Sequence, residues 1–201
     1  MSRNAFLPVL FVNFFVQAFI AVFFLFPAAL QGQGFPLSQI GWLMSSFSMV
    51  STVVRLMGGA VSEKVGVRKT LLVSSLLLII TSLPLAWTST FPWILLLRII
   101  MGIFFSVAMV SVSSYQAMII PLEKRGSAYA WIGAAYALPQ LTVFPLGDLF
   151  LSGGGYVPYV LLAPLMAFFC LACSFMLPST GEQKSTSRRN GRETPSWGKW
   201  G

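Results

Sequence analysis

The sequence contains no histidine, and only five of its 201 residues are acidic. Without histidine it lacks the side chain most used for proton transfer and metal ligation near neutral pH. Its two cysteines, Cys170 and Cys173, form a Cys-x-x-Cys pair inside an apolar run with no third ligand at hand. They read as small packing residues, not as a metal or redox centre. No nucleophile stands beside a base, and no phosphate-cradling loop or nucleotide fingerprint is present. Enzyme classes therefore find no foothold, and neither a metal nor a cofactor is expected.

Charge of both signs is scarce, at 9% of residues, whereas 56% are hydrophobic and phenylalanine occurs 18 times. A soluble domain of this length cannot bury so much apolar surface. Crossing a hydrocarbon core roughly 30 Å thick takes about twenty apolar residues in a helix. Six runs approach or exceed that length, near residues 5–30, 37–61, 71–87, 93–120, 128–147 and 156–177. They are apolar on every face, which fits helices and excludes the alternating strands of a barrel. The first run follows Arg3 and ends near small residues, as a signal peptide would, but it is too long for a signal core. It is read as an uncleaved helix.

The basic residues test this division independently. Arg3 precedes the first run; Lys64, Arg68 and Lys69 separate the second from the third; Lys124 and Arg125 separate the fourth from the fifth; five more follow the sixth. The connections at 31–36, 88–92 and 148–155 carry no lysine or arginine. By the positive-inside rule both termini and the two basic loops lie in the cytoplasm. Trp42, Trp87, Trp93 and Tyr156 fall where the outer headgroups would be. The net charge of +8, of which the segment after Leu177 supplies +3, follows from topology and anionic lipid, with no call for nucleic acid. Residues 1–177 form the membrane domain, and residues 178–201 a basic cytoplasmic tail whose Ser, Thr, Gly, Arg and Lys content predicts disorder.

Several residues stand out within this frame. Gly58 and Gly59 let a helix approach closely at the end of the second span, Gly66 permits a tight turn, and Glu63 can pair with a cation or a helix N-terminus. Arg98 lies within a span, where a guanidinium costs at least a few kcal/mol unless paired or hydrated. Five residues beyond Trp93, it sits about 8 Å into the bilayer, and either snorkels outward or faces a polar cavity. Arg55, near the cytoplasmic end of the second span, suits snorkelling or pairing with Glu63. Asn13 and Gln17 share a helix face, as do Tyr136 and Gln140, and either line a cavity or bond between helices. Glu63 and Glu123 are loop residues, so Asp148 is the one acid in this chain placed to carry a coupled proton. Pro139 and Pro145 each remove a backbone donor from the fifth span.

The pattern Gly59-x-x-x-Glu63-Lys64-x-Gly66-x-Arg68-Lys69 resembles the signature loop of the major facilitator superfamily, with Glu and Lys where Asp and Arg are usual. Arg98 with Gly102 resembles the family's fourth-helix motif, Arg125-Gly126 opens the fifth span as is usual there, and Gly133, Pro145 and Gly147 match its antiporter motif in part. The resemblance implies an all-α integral membrane protein: six transmembrane helices as two inverted three-helix repeats, one half of a major facilitator fold. It implies a multi-pass transporter of the plasma (inner) membrane that moves a small solute by alternating access, efflux being one direction. Arg98, Asn13, Gln17, Tyr136 and Gln140 become substrate-cavity candidates. Gly102, Pro145 and Gly147 become packing positions, and residues 59–69 a latch that closes against a helix of a second half.

Full-length family members continue through a linker into six more helices, whereas this sequence stops at Gly201. The expected partners are therefore the bilayer, a solute, and a second six-helix half or a second copy. The chain is expected to be a fragment of a longer carrier, a half-carrier, or a non-transporting accessory subunit that binds a partner carrier. Because a latch needs something to close on, Glu63→Gln should change little in the isolated chain but shift the inward–outward balance once a second half is supplied. A large loss of folded protein on purifying the isolated variant would contradict this.

Overall fold

A computed structural model of the chain describes residues 3–177, with side chains outside 3–6 and 57–65. Its elements are α1 (Arg3–Val22), α2 (Phe26–Gly32), α3 (Leu37–Val65), α4 (Val67–Ser82), α5 (Phe91–Ile119), α6 (Arg125–Gly154) and α7 (Tyr156–Phe175). Short 3-10 turns, Leu83–Ala86 and Leu122–Lys124, extend α4 and precede α6. Taken as spans, these make six membrane-length apolar stretches among the described residues.

The first span is broken where continuity was expected. Proline at position 27 has no N–H for the carbonyl of Phe23, and its ring would clash with that carbonyl, so α1 stops and α2 restarts at Phe26. The Tyr159 hydroxyl donates to the freed Val22 carbonyl, replacing a bond the break removes. Between α3 and α4 a single residue, Gly66 at φ +96°, makes the turn. That region of backbone space suits glycine because it has no Cβ. The fifth span also departs from expectation, since α6 continues seven residues past Gly147 to Gly154. Leu149, Phe150 and Leu151 prolong its apolar character, which places Asp148 inside a helix and leaves Gly155 (φ +82°) as the turn into α7.

Packing follows an internal symmetry. The helix α3 packs on α5 as α6 packs on α1, α4 packs on α5 as α7 packs on α1, and α4 and α7 meet each other. Exchanging the first three spans for the last three leaves this pattern unchanged, which is the two-repeat arrangement. The paired helices α3 and α6 are the least covered: 22% of their membrane-length windows is buried, against 44% to 56% in the other four. They are also the least apolar, with mean hydropathy 1.2.

The α3–α5 pair runs parallel at a constant register. Arg98 Nε bonds to the Leu43 carbonyl, Gly102 backs onto Phe47, and Ser106 Oγ bonds to Ser51, so each α5 residue faces the α3 residue 55 positions earlier. A Cβ on Gly102 would lie 3.0 Å from the Phe47 carbonyl oxygen, so any larger residue would push the α3 backbone back, and glycine allows the close approach. Gly147 is buried between Leu25 and Tyr159, whereas Pro145, expected to serve packing, is exposed on α6. The thiol of Cys170 sits 3.4 Å from Ser75 Oγ between α7 and α4, a packing contact. Gly102→Val is expected to cost about 1–3 kcal/mol by forcing α3 away from α5. Gly133→Val, at an exposed helical glycine with open space around it, should not, and thermal melts of both variants in detergent check the difference.

Candidate functional site: a cationic cleft between four spans

On the side where α3 and α6 are least covered, a cleft of about 450 Å³ opens between α1, α3, α5 and α6. Its α3 wall is Met44, Phe47, Ser48, Ser51, Thr52 and Arg55, all on one helical face. Gln17 and Ile20 come from α1, Phe105 and Met109 from α5, and Tyr136 from α6. Arg98 closes the end nearer the tryptophans, and Arg55 stands toward the other, basic end. No carboxylate lines the cleft among the described residues.

Arg98 is 1% exposed, so it does not snorkel. Its guanidinium lies 4.6, 5.3 and 4.5 Å from the ring centroids of Phe23, Phe26 and Phe47, a cage drawn from the α1 break, α2 and α3. Nε donates to the Leu43 carbonyl at 3.3 Å and Nη2 to the Met44 thioether at 3.7 Å, while Nη1 has no partner. Ring faces carry partial negative charge and stabilise a desolvated cation, but none of these groups neutralises it.

Arg55 is exposed to the cleft, its guanidinium 5.7 Å from the Phe105 ring centroid. The expected pairing with Glu63 falls outside the described side chains. Phe105 in turn lies 5.5 Å from Phe47, so the two arginines are joined by two touching rings. Ser106 Oγ reaches the Ser51 hydroxyl and carbonyl and the Gly102 carbonyl, which holds α3 and α5 together at the cleft floor. Gln17 Nε2 approaches the Met109 sulfur at 3.4 Å, and the Tyr136 hydroxyl meets Gln17 and Ser113.

Of the residues proposed from sequence for a cavity, Arg98, Gln17 and Tyr136 line this one together. Asn13 and Gln140 do not. Asn13 is 0% exposed, donating to the Ile132 carbonyl at 3.5 Å and accepting from Gln116 at 3.3 Å, so it links α1 to α6 and α5. Gln140, one turn past Tyr136, is exposed and is not among the lining residues. Asp148 is exposed, twelve residues or about 18 Å of helix beyond Tyr136. The residues missed were the caging rings Phe23, Phe26 and Phe47 and the Ser51–Ser106 pair. The polar stripe at 48, 51, 52 and 55 was a readable signal for the α3 wall.

In the signature loop, the side chains of Gly59, Glu63 and Lys64 lie outside the described residues. Lys69 is exposed, and Arg68 Nη2 donates to the Phe175 carbonyl at 2.9 Å. A basic residue in the first turn of α4 opposes the helix dipole, but here its charge caps the carbonyl end of α7 instead.

The unneutralised burial of Arg98 has a measurable consequence. Arg98→Met fills similar volume without charge, and is expected to stabilise the chain by about 1–4 kcal/mol, seen as a higher thermal midpoint in lipid nanodiscs. A lower midpoint would show that the ring contacts outweigh the cost of desolvation.

Comparison with known proteins gives a consistent result. The sequence profile of the Major Facilitator Superfamily matches residues 6–201. No curated protein sequence matches the chain significantly. Among solved structures, the proton:xylose symporter XylE bound to 6-bromo-6-deoxy-D-glucose superposes with a TM-score of 0.75 at 18% identity, over 94% of this chain and 47% of that one. A D-xylose-proton symporter gives 0.67 at 18%, over 94% and 50%. The inward-open xylose transporter XylE from E. coli gives 0.67 at 19%, over 95% and 52%. At these identities the likeness is one of fold, and the chain spans about half the length of the transporters it matches.

Proposed function

Because the chain belongs to the Major Facilitator Superfamily, whose fold is that of a transporter and not of an enzyme, we propose that it is the N-terminal six-helix half of a solute carrier. The cleft is then this half's share of the solute path. The observation that carries the reading is the coincidence of three properties on one side: a polar cleft of about 450 Å³, the two least covered helices, and their lower hydropathy. Helices bathed in lipid gain nothing from such polarity, whereas helices facing water and a second half do. A second six-helix unit, or a second copy, covers α3 and α6 and encloses the cleft, and rocking of the two units exposes it alternately to each side.

The basic end, with Lys69, Lys124 and Arg125, faces the cytoplasm of the plasma membrane, and the end with Trp42, Trp87 and Trp93 faces outward, all three tryptophans being exposed at the bundle rim. Gly59 and Glu63 act as a latch on the second unit. Asp148, outside the cleft, remains the candidate for a coupled proton. A non-transporting subunit that docks a partner carrier through α3 and α6 is the second reading. It uses the same exposed faces but needs no water in the cleft.

Thiol labelling separates these readings. With Cys170 and Cys173 changed to alanine, Thr52→Cys should react with a membrane-impermeant maleimide in sealed vesicles, while Val73→Cys, on the outer face of α4, should stay unmodified. Equal protection of the two positions would mean that no water reaches the cleft and would sink the solute-path reading.

A further inference from the structure

We infer that the cleft selects an organic anion with an apolar body. This rests on reading the cleft as a solute path and adds the class of solute. Both formal charges that line it are positive, Arg55 and Arg98, and no lining residue is acidic among those described. The described carboxylates are not among the lining residues: Asp148 is exposed on α6, and Glu123 is exposed just before α6. Glu63 cannot serve Arg98 either. It stands twenty residues down α3 from Leu43, which receives the Arg98 bond, and that is about 30 Å at the helical rise.

Two cations facing one cleft with low-dielectric walls, and no acidic residue in its described lining, make it strongly attractive to an anion. The incomplete bonding of Arg98 points the same way, since its charge is met only by a carbonyl, a thioether and ring faces, and Nη1 is left unbonded. Arg55 is the accessible member, exposed in the cleft lining with its guanidinium beside the Phe105 ring, and a guanidinium can receive a carboxylate or another oxyanion on two parallel N–H bonds. Beside it, the Ser48 and Thr52 hydroxyls donate to the Met44 and Ser48 carbonyls, which leaves the guanidinium as the donor an anion would meet there. Between the two charges the walls are Phe47, Phe105, Met44 and Met109, which accept an aromatic or aliphatic body. The volume lies in the range of pockets that hold small organic ligands.

Three probes with one body and different charge test this: 4-phenylbutyrate, 4-phenylbutyramide and 4-phenylbutylamine. Binding is measured calorimetrically on the chain in zwitterionic nanodiscs, with empty nanodiscs subtracted. The acid should bind at least about tenfold tighter than the amide, and the amine weakest. Arg55→Gln should abolish the preference for the acid, and Arg55→Lys, which keeps the charge, should retain most of it; thermal melts confirm that both variants are folded. An acid that binds no better than its amide, an undetectable acid at about 10 mM, or an unchanged preference in Arg55→Gln overturns the inference. Binding is read without flux or labelling, so the two readings fail separately. A protected Thr52→Cys with anion preference intact defeats the solute path alone, and a reactive Thr52→Cys without anion preference defeats the anion alone.

Discussion

The close parallel docking of α3 on α5 is the constraint from which the rest of the structure follows. Three successive turns meet at one register, Leu43 on Arg98, Phe47 on Gly102 and Ser51 on Ser106. In a bilayer no hydrophobic force draws apolar helices together, so their approach depends on small residues and on hydrogen bonds between polar ones. Gly102 supplies the first and the Ser51–Ser106 pair the second. Once the backbones are this close, Arg98 cannot swing outward past α3, and its guanidinium turns toward Phe47 and the break in the first span.

That break belongs to the same arrangement. Proline at position 27 interrupts the helix and lets Phe23 and Phe26 converge on one point, while Tyr159 satisfies the carbonyl left behind. The cage thus joins α1, α2, α3 and α5 around one charge. Holding an unneutralised cation away from water is costly, and sites that keep such a group spend stability for function. The remainder of the bundle is ordinary close packing, including the link from Asn13 to Gln116 and Ile132 that ties α1 to α5 and α6.

Symmetry sets where the cleft can be. Each three-span repeat places its middle helix on the outside of the other repeat's first helix, so α3 and α6 both end up with one side uncovered. The polar stripe of α3 and Tyr136 of α6 are carried to the two margins of that open side. Arg68, at the other end of the molecule, fastens the start of α4 to the end of α7, and so holds the two central helices together where the signature loop leaves the bundle.

Length, hydropathy and the placement of lysine and arginine are properties that add along the chain, so the six spans, their basic connections and the family likeness were legible in the sequence. Gly66 as a turn and Gly102 as a contact were legible as well, because each solves a backbone problem open to few other residues. The direction of a side chain was not. These helices are apolar almost all round, and without a one-sided stripe nothing local tells which face meets a neighbour. Asn13 and Gln17, one turn apart, therefore looked alike, yet α6 and α5 cover the first and the cleft receives the second. The same holds for Arg98: the sequence determined that a charge lies within a span, and only the tertiary structure decided that it is buried with three rings distant in the chain around it, because packing shape and not hydrophobicity chooses the neighbours.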